Sequence, residues 1–140
     1  MQAQETLRKY FGHEAFRPGQ EVMVNALTHH RDALGVMPTG AGKSMCYQVP
    51  ALMMPGVAIV ISPLISLMAD QVAALKSAGV PAAYLNSSLT PRQMELAMQR
   101  ARQGAYKIIY VAPERLETPS FQAMAHSMPI SLLAVDEAHC

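Results

Sequence analysis

Apolar positions along the chain follow two alternating rhythms. Short blocks such as Val57 to Ile61 and Lys107 to Ala112 are almost continuously apolar and rich in β-branched residues. Between them, apolar residues recur every three or four positions. Strand-length blocks that are apolar on both faces are what a parallel sheet covered by helices requires. Strands are expected at Asp32 to Val36, Val57 to Ile61, Ala82 to Leu85, Lys107 to Ala112 and Leu132 to Val135. A short helix from Glu5 to Phe11 is stopped by Gly12, and Pro18 opens a second one with Val22, Met23, Ala26 and Leu27 on one face. Met45 to Met53 can be helical. Ile65, Met68, Val72 and Leu75 share a helical stripe that ends before Gly79. Thr90-Pro91-Arg92-Gln93 reads as a capping box with proline at the first helical position, followed by the stripe Met94, Ala97, Met98 and Ala101 and the stop Gly104. Thr118-Pro119 caps a last short helix to about His126. The alternation gives an α/β domain with a mainly parallel sheet flanked by helices.

Composition narrows the class. At 140 residues with 51% hydrophobic residues the chain is one domain at most and can bury a core. No apolar run approaches the roughly 18 residues of a membrane helix, so no membrane partner is expected. The N-terminus, Met1 to Glu5, has neither a basic leader nor an apolar core, which makes a cytoplasmic location the default expectation. Cys46 and Cys140 cannot build a disulfide framework and lack metal-ligand spacing. The 11 methionines are spread through helix stripes and loops and read as core filling. A net charge of +1 from 11 basic and 10 acidic residues neither supports nor excludes nucleic acid.

The chemistry concentrates at Met37-Pro38-Thr39-Gly40-Ala41-Gly42-Lys43-Ser44, between an expected strand and an expected helix start. There, backbone N–H groups of a glycine-containing loop can wrap a phosphate chain that faces a helix N-terminus. Met37 departs from the general phosphate-loop pattern at its first glycine, while Gly40, Gly42, Lys43 and Ser44 fit it. Lys43 can reach the terminal phosphates, and the Ser44 hydroxyl can ligate Mg²⁺. About ninety residues later the last strand runs into adjacent carboxylates, Asp136-Glu137. Ligands of open α/β sheets gather at the carboxyl ends of strands, so both motifs can meet one nucleotide. Asp136 can then hold Mg²⁺ through water while Glu137 orients or deprotonates the attacking water. Taken alone, the two acids are equally readable as residues favoured at a helix N-terminus.

Five segments, in order, resemble the successive motifs of the first motor lobe of RecQ-type superfamily 2 DNA helicases. They are Phe16-Arg17-Pro18-Gly19-Gln20, Met37 to Ser44, Ser62-Pro63-Leu64-Ile65-Ser66-Leu67-Met68-Ala69-Asp70-Gln71, Ala112-Pro113-Glu114-Arg115-Leu116 and Asp136-Glu137-Ala138-His139. The resemblance implies a P-loop, RecA-like first lobe over residues 1–140, incomplete after the Asp-Glu-Ala-His motif, and accommodates Met37, since such helicases commonly lack that glycine. It further implies ATP and Mg²⁺ as cofactors, Gln20 reading the adenine edge with Arg17 packed on the base, and His13 where the family often stacks an aromatic residue. Thr39 to Ser44 would cradle the phosphates, and His139 would couple the nucleotide site to DNA and to a second RecA-like lobe. By the same resemblance, Ser62 to Gln71 and Ala112 to Leu116 line a single-strand path, where phosphates are held without reading sequence. Helix capping competes for those residues.

The implied activity is ATP-dependent 3′-to-5′ unwinding of single-stranded and forked duplex DNA in repair and recombination. An N-terminal fragment is expected, because the family's Ser-Ala-Thr-type motif, the aromatic-rich DNA-sensing loop and the second lobe with its arginine finger would all follow residue 140. An external arginine of that kind is worth about 10³ to 10⁵ in phosphoryl-transfer rate, so little ATP turnover is expected without it. Another superfamily 2 translocase or RNA helicase, or a non-catalytic nucleotide-binding module, stays open at this point.

Overall fold

The computed structural model describes residues 3–13, 15, 16, 20, 24, 25, 27 and 44–135. They fall into two compact units, Met1–Pro55 and Gly56–Cys140. The strand expected at 32–36 and most of the helix expected after Pro18 lie outside the described residues.

In the first unit, α1 (Ala3–Phe11) places Glu5 in its first turn and Arg8 and Lys9 in its last, each charge matched to the helix dipole. It ends at Gly12, whose φ of 72° closes the turn and whose N–H donates to the Arg8 carbonyl at 3.1 Å. α2 (Met45–Met53) has the bounds expected from sequence. Leu7, Val24 and Val49 form the buried centre of this unit, with Phe11, Phe16 and Met53 partly buried around them.

The second unit is a four-stranded sheet in the order β2-β3-β1-β4, built from β1 (Val57–Ile61), β2 (Ala82–Leu85), β3 (Ile108–Val111) and β4 (Ile130–Val135). All three pairings are parallel. Three helices connect the strands: α3 (Ile65–Ser77), α4 (Pro91–Arg102) and α5 (Pro119–His126), with a 3₁₀ turn at Pro113–Arg115 between β3 and α5. On one face Val57, Ile59, Ile109, Val111 and Leu85 pack with Met98 and Ala101 of α4 and Phe121 and Met124 of α5. The alternate positions Ala58, Val60, Ile108 and Tyr110 are also buried. The double-faced burial is the physical reason those strands read as continuous apolar blocks.

Local chemistry sets the helix bounds. Thr90 Oγ1 accepts from the Gln93 N–H at 3.1 Å while Gln93 Oε1 accepts from the Thr90 N–H at 2.8 Å, completing the capping box expected at α4. Thr118 caps α5 by accepting from the Phe121 N–H at 3.3 Å. Met68, Val72 and Leu75 of α3 are buried as the stripe required, but Ile65 is 36% exposed because it starts the helix at the sheet's rim. β4 starts at Ile130, two residues before the expected Leu132, because a register irregularity between Val57 and Ala58 lets Val57 pair with Ile130.

The amino edge of the sheet is closed around Gly56. Its φ is 86°, and a side chain there would collide with the Pro129 carbonyl oxygen, which already accepts from the Val57 N–H at 3.0 Å. The Gly56 carbonyl in turn accepts from Lys107 Nζ at 2.9 Å. Desolvation of that ammonium pushes the Lys107 pKa below its ordinary value.

Gly56→Ala is expected to destabilise the protein by about 2 kcal/mol, read as a lower denaturation midpoint, because it combines a left-handed φ with a backbone collision. Thr90→Ala should cost about 1 kcal/mol in the same measurement through loss of the cap, with Thr90→Ser close to neutral.

Candidate functional site

The parallel register brings the carboxyl ends of all four strands to one level. Leu85 pairs with Val111, Val111 with Ile61, and Ile61 with Val135. The segments leaving β1, β2 and β3 therefore emerge side by side at Ser62, Asn86 and Ala112. Val135 stands at the same edge one residue before Asp136 in the chain.

Each of the three loops is fixed from within. Ser62 is buried; its N–H donates to the Val111 carbonyl at 3.1 Å and its hydroxyl oxygen accepts from the Leu64 N–H at 3.3 Å, which bends the chain into α3. Leu64, the residue before α3, supplies no side-chain cap for the first-turn N–H groups of that helix. Asn86 is fully buried. Its Nδ2 donates to Met68 Sδ at 3.3 Å, and its Oδ1 accepts from both the backbone N–H and the hydroxyl of Ser88. One side chain thereby ties the loop after β2 to α3 and shapes that loop as an Asx turn. After β3, the Thr118 hydroxyl donates to the Arg115 carbonyl at 2.7 Å, and the Arg115 N–H donates to the Ala112 carbonyl at 3.0 Å.

In the first unit, Ser44 immediately precedes α2. Its carbonyl accepts from the Gln48 N–H at 2.9 Å, while its side chain makes no cap hydrogen bond. The hydroxyl is thus not consumed in capping its own helix. Gln20 is helical, buried at 3% exposure and engaged within the chain. His13 is exposed just after Gly12. Arg17, Thr39, Gly40, Ala41, Gly42, Lys43, Asp136, Glu137 and His139 lie outside the described residues. Burial pushes the Cys46 thiol, two residues past Ser44, above its ordinary pKa, so it is a protonated core thiol and a poor nucleophile. Among the described residues no group of three or more His, Cys, Asp or Glu is placed to hold a metal, and no helix is long and apolar enough to cross a membrane.

Sequence reasoning passed over two residues that matter here. Asn86 carried a signal, since Asn-Ser-Ser directly after a strand is an Asx-turn composition. Its sulfur partner Met68, 18 residues earlier, carried none. Arg115 was grouped with its loop, and nothing local announced that its Nε would be buried without a hydrogen-bond partner among the described residues.

The DEAD/DEAH box helicase family matches residues 17–140. The chain is 48% identical over 139 residues to the ATP-dependent DNA helicase RecQ of Bacillus subtilis, covering 99% of this chain and 24% of that protein. It is 46% identical over 138 residues to RecQ of Haemophilus influenzae, covering 99% and 22%. It is also 43% identical over 137 residues to the bifunctional 3′-5′ exonuclease/ATP-dependent helicase WRN of Mus musculus, covering 96% and 10%. The chain thus spans about a quarter of the length of the RecQ relatives it matches. With motifs in order, a parallel sheet whose carboxyl ends share one edge, and a match over nearly its whole length, the chain belongs to the DEAD/DEAH box helicase family.

Proposed function

We propose that this chain is part of the first motor lobe of a RecQ-type ATP-dependent DNA helicase that moves 3′ to 5′ and unwinds single-strand-tailed and forked duplexes in repair and recombination. The observation that carries the reading is the levelled carboxyl edge: Ser62, Asn86 and Ala112 emerge together beside the strand that runs toward Asp136. A DNA strand laid along that edge would meet the first turn of α3, where Leu64 supplies no side-chain cap and the first N–H groups suit phosphate oxygens without reading bases. High identity to proteins named ATP-dependent DNA helicases supports DNA over RNA as the track. A second RecA-like lobe and a cytoplasmic location belong to the same proposal.

At the nucleotide, the chain's own groups divide the work. The N–H groups of Thr39 to Lys43 cradle phosphate oxygens, and the Lys43 ammonium adds a positive charge at the terminal ones. Ser44 and Asp136 would hold Mg²⁺, Asp136 through water. When bound, that ion draws off charge as the terminal phosphate bond breaks. Glu137 accepts a proton from the attacking water or orients it. Gln20, Arg17 and His13 are assigned to the adenine, and His139 to coupling with DNA and the second lobe.

In the full-length protein, Lys43→Ala should abolish DNA-stimulated ATP hydrolysis and strand displacement, a loss of at least about 10²-fold in kcat; unchanged turnover would remove the phosphate-loop assignment. Glu137→Gln should retain ATP binding within about threefold of the parent while hydrolysis falls by at least about 10²-fold. A fluorescent ATP analogue reads the first and phosphate release the second, and loss of binding would contradict a water-activating role.

A further inference from the structure

The sheet ends at β2, and among the described residues no strand pairs with its outer side. α3 crosses from β1 to β2 and α4 returns from β2 to β3, so right-handed crossovers put these helices on opposite faces of the sheet. A cavity of about 300 Å³ is lined by both helices, by β2 itself and by Tyr106 just before β3. To touch both faces it must run across the outer side of β2. It shares no residue with the phosphate-loop or Asp-Glu motifs, nor with Ser62 to Gln71 or Ala112 to Leu116.

The strand backbone takes part in this groove. The Leu85 carbonyl accepts from the Ala112 N–H at 3.0 Å, so Leu85 turns its backbone groups toward β3. Successive residues of a strand point theirs to alternate sides, and Tyr84 and Ala82 therefore turn theirs outward. Ala82 is closed off at 1% exposure, whereas Tyr84 is only half-buried. On the α4 wall stands Leu96, 43% exposed, the one large apolar residue that is exposed past the first position of a helix among the described residues. Lys76 near the end of α3 and Arg100 near the end of α4 supply positive charge, and no carboxylate lines the groove. Both helices run antiparallel to the strands, so these two cations stand toward the amino edge of the sheet, away from the loops that follow β1 and β3.

These groups decide what fits. A nucleic-acid strand would suit the cations, but its sugar-phosphate backbone carries acceptors only and leaves the Tyr84 carbonyl without a donor. A docked helix would keep its own N–H and C=O groups within itself. An extended peptide brings a donor and an acceptor on each residue and sends alternate side chains to opposite faces. Paired with Tyr84, it would set apolar side chains on Leu96 and direct carboxylates toward Lys76, with Arg100 at the end of the α4 wall.

We propose that the outer side of β2 docks an extended acidic segment of a partner protein, bridged by the Tyr84 backbone, seated on Leu96 and held by Lys76 and Arg100. The docking surface is independent of the DNA reading above.

The test is fluorescence anisotropy of dye-labelled decapeptides with the full-length protein at physiological salt. One peptide alternates valine with aspartate, and the other alternates valine with lysine. The aspartate peptide is expected to bind with a Kd below about 1 mM and the lysine peptide to show no binding there. Lys76→Glu combined with Arg100→Glu should weaken the aspartate peptide by about tenfold or more, and Leu96→Ala by about threefold or more, with DNA-stimulated ATP hydrolysis unchanged. Lys76→Gln with Arg100→Gln serves if the charge-reversed protein does not fold. Equal binding of the two peptides, no binding of the aspartate peptide, or undiminished binding by both the charge and the Leu96 variants would overturn the proposal. So would displacement of the bound peptide by a ten-residue oligodeoxythymidine, which assigns the groove to nucleic acid, or dimerisation that Leu96→Ala abolishes, which assigns it to a second copy of this chain.

Discussion

In-register parallel pairing of β1 with its two neighbours is the constraint on which the second unit depends. Ile59 pairs with Ile109 on one side and Leu133 on the other, and Ile61 with Val111 and Val135. Because side chains alternate between faces, a slip of one residue would exchange the set packed on α4 and α5 for the set on the opposite face. Ile59, Ile109 and Val111 each gain about 2 kcal/mol from full burial, an upper figure, so a slipped register would forfeit several such contacts at once. Register therefore holds the loops after β1, β2 and β3 level, and any site built from them inherits that alignment.

The two edges of the sheet are finished differently. At the amino edge, backbone meets backbone: Gly56 has no room for a side chain beside Pro129, and Lys107 gives up part of its solvation to donate to the Gly56 carbonyl. At the carboxyl edge the fixing groups are side chains of short reach, Ser62, Asn86 and Thr118, which bond the backbone of their own loops. Those loops are thus held from behind while larger groups such as Leu64 and Glu114 stay exposed. A surface held that way suits a ligand that is gripped by its backbone.

Much of the fold was legible in the chain because its signals are local. The capping box at Thr90 and Gln93, the proline at the first position of α5 and the β-branched block of β1 each fix an element within a few residues, and their bounds agree with the structure. Less legible was whatever depends on distant partners. The early start of β4 follows from an irregularity in β1, the order β2-β3-β1-β4 has no local signal, and the Asn86–Met68 contact joins two elements. The candidate site divides the same way. The expectation of phosphate and metal chemistry at Lys43, Ser44, Asp136 and Glu137 rests on residue type and spacing alone, whereas Arg115 became notable only through what surrounds its Nε.

The central claim is that the carboxyl edge of this sheet faces DNA, and amide hydrogen exchange of the full-length protein with and without single-stranded DNA tests it most directly. Protection on binding is expected in the segments beginning at Ser62, Asn86 and Ala112, with the amino-edge positions Val57, Lys107 and Ile130 unchanged. Protection confined to the amino edge, or none in the three loops at saturating DNA, would contradict it.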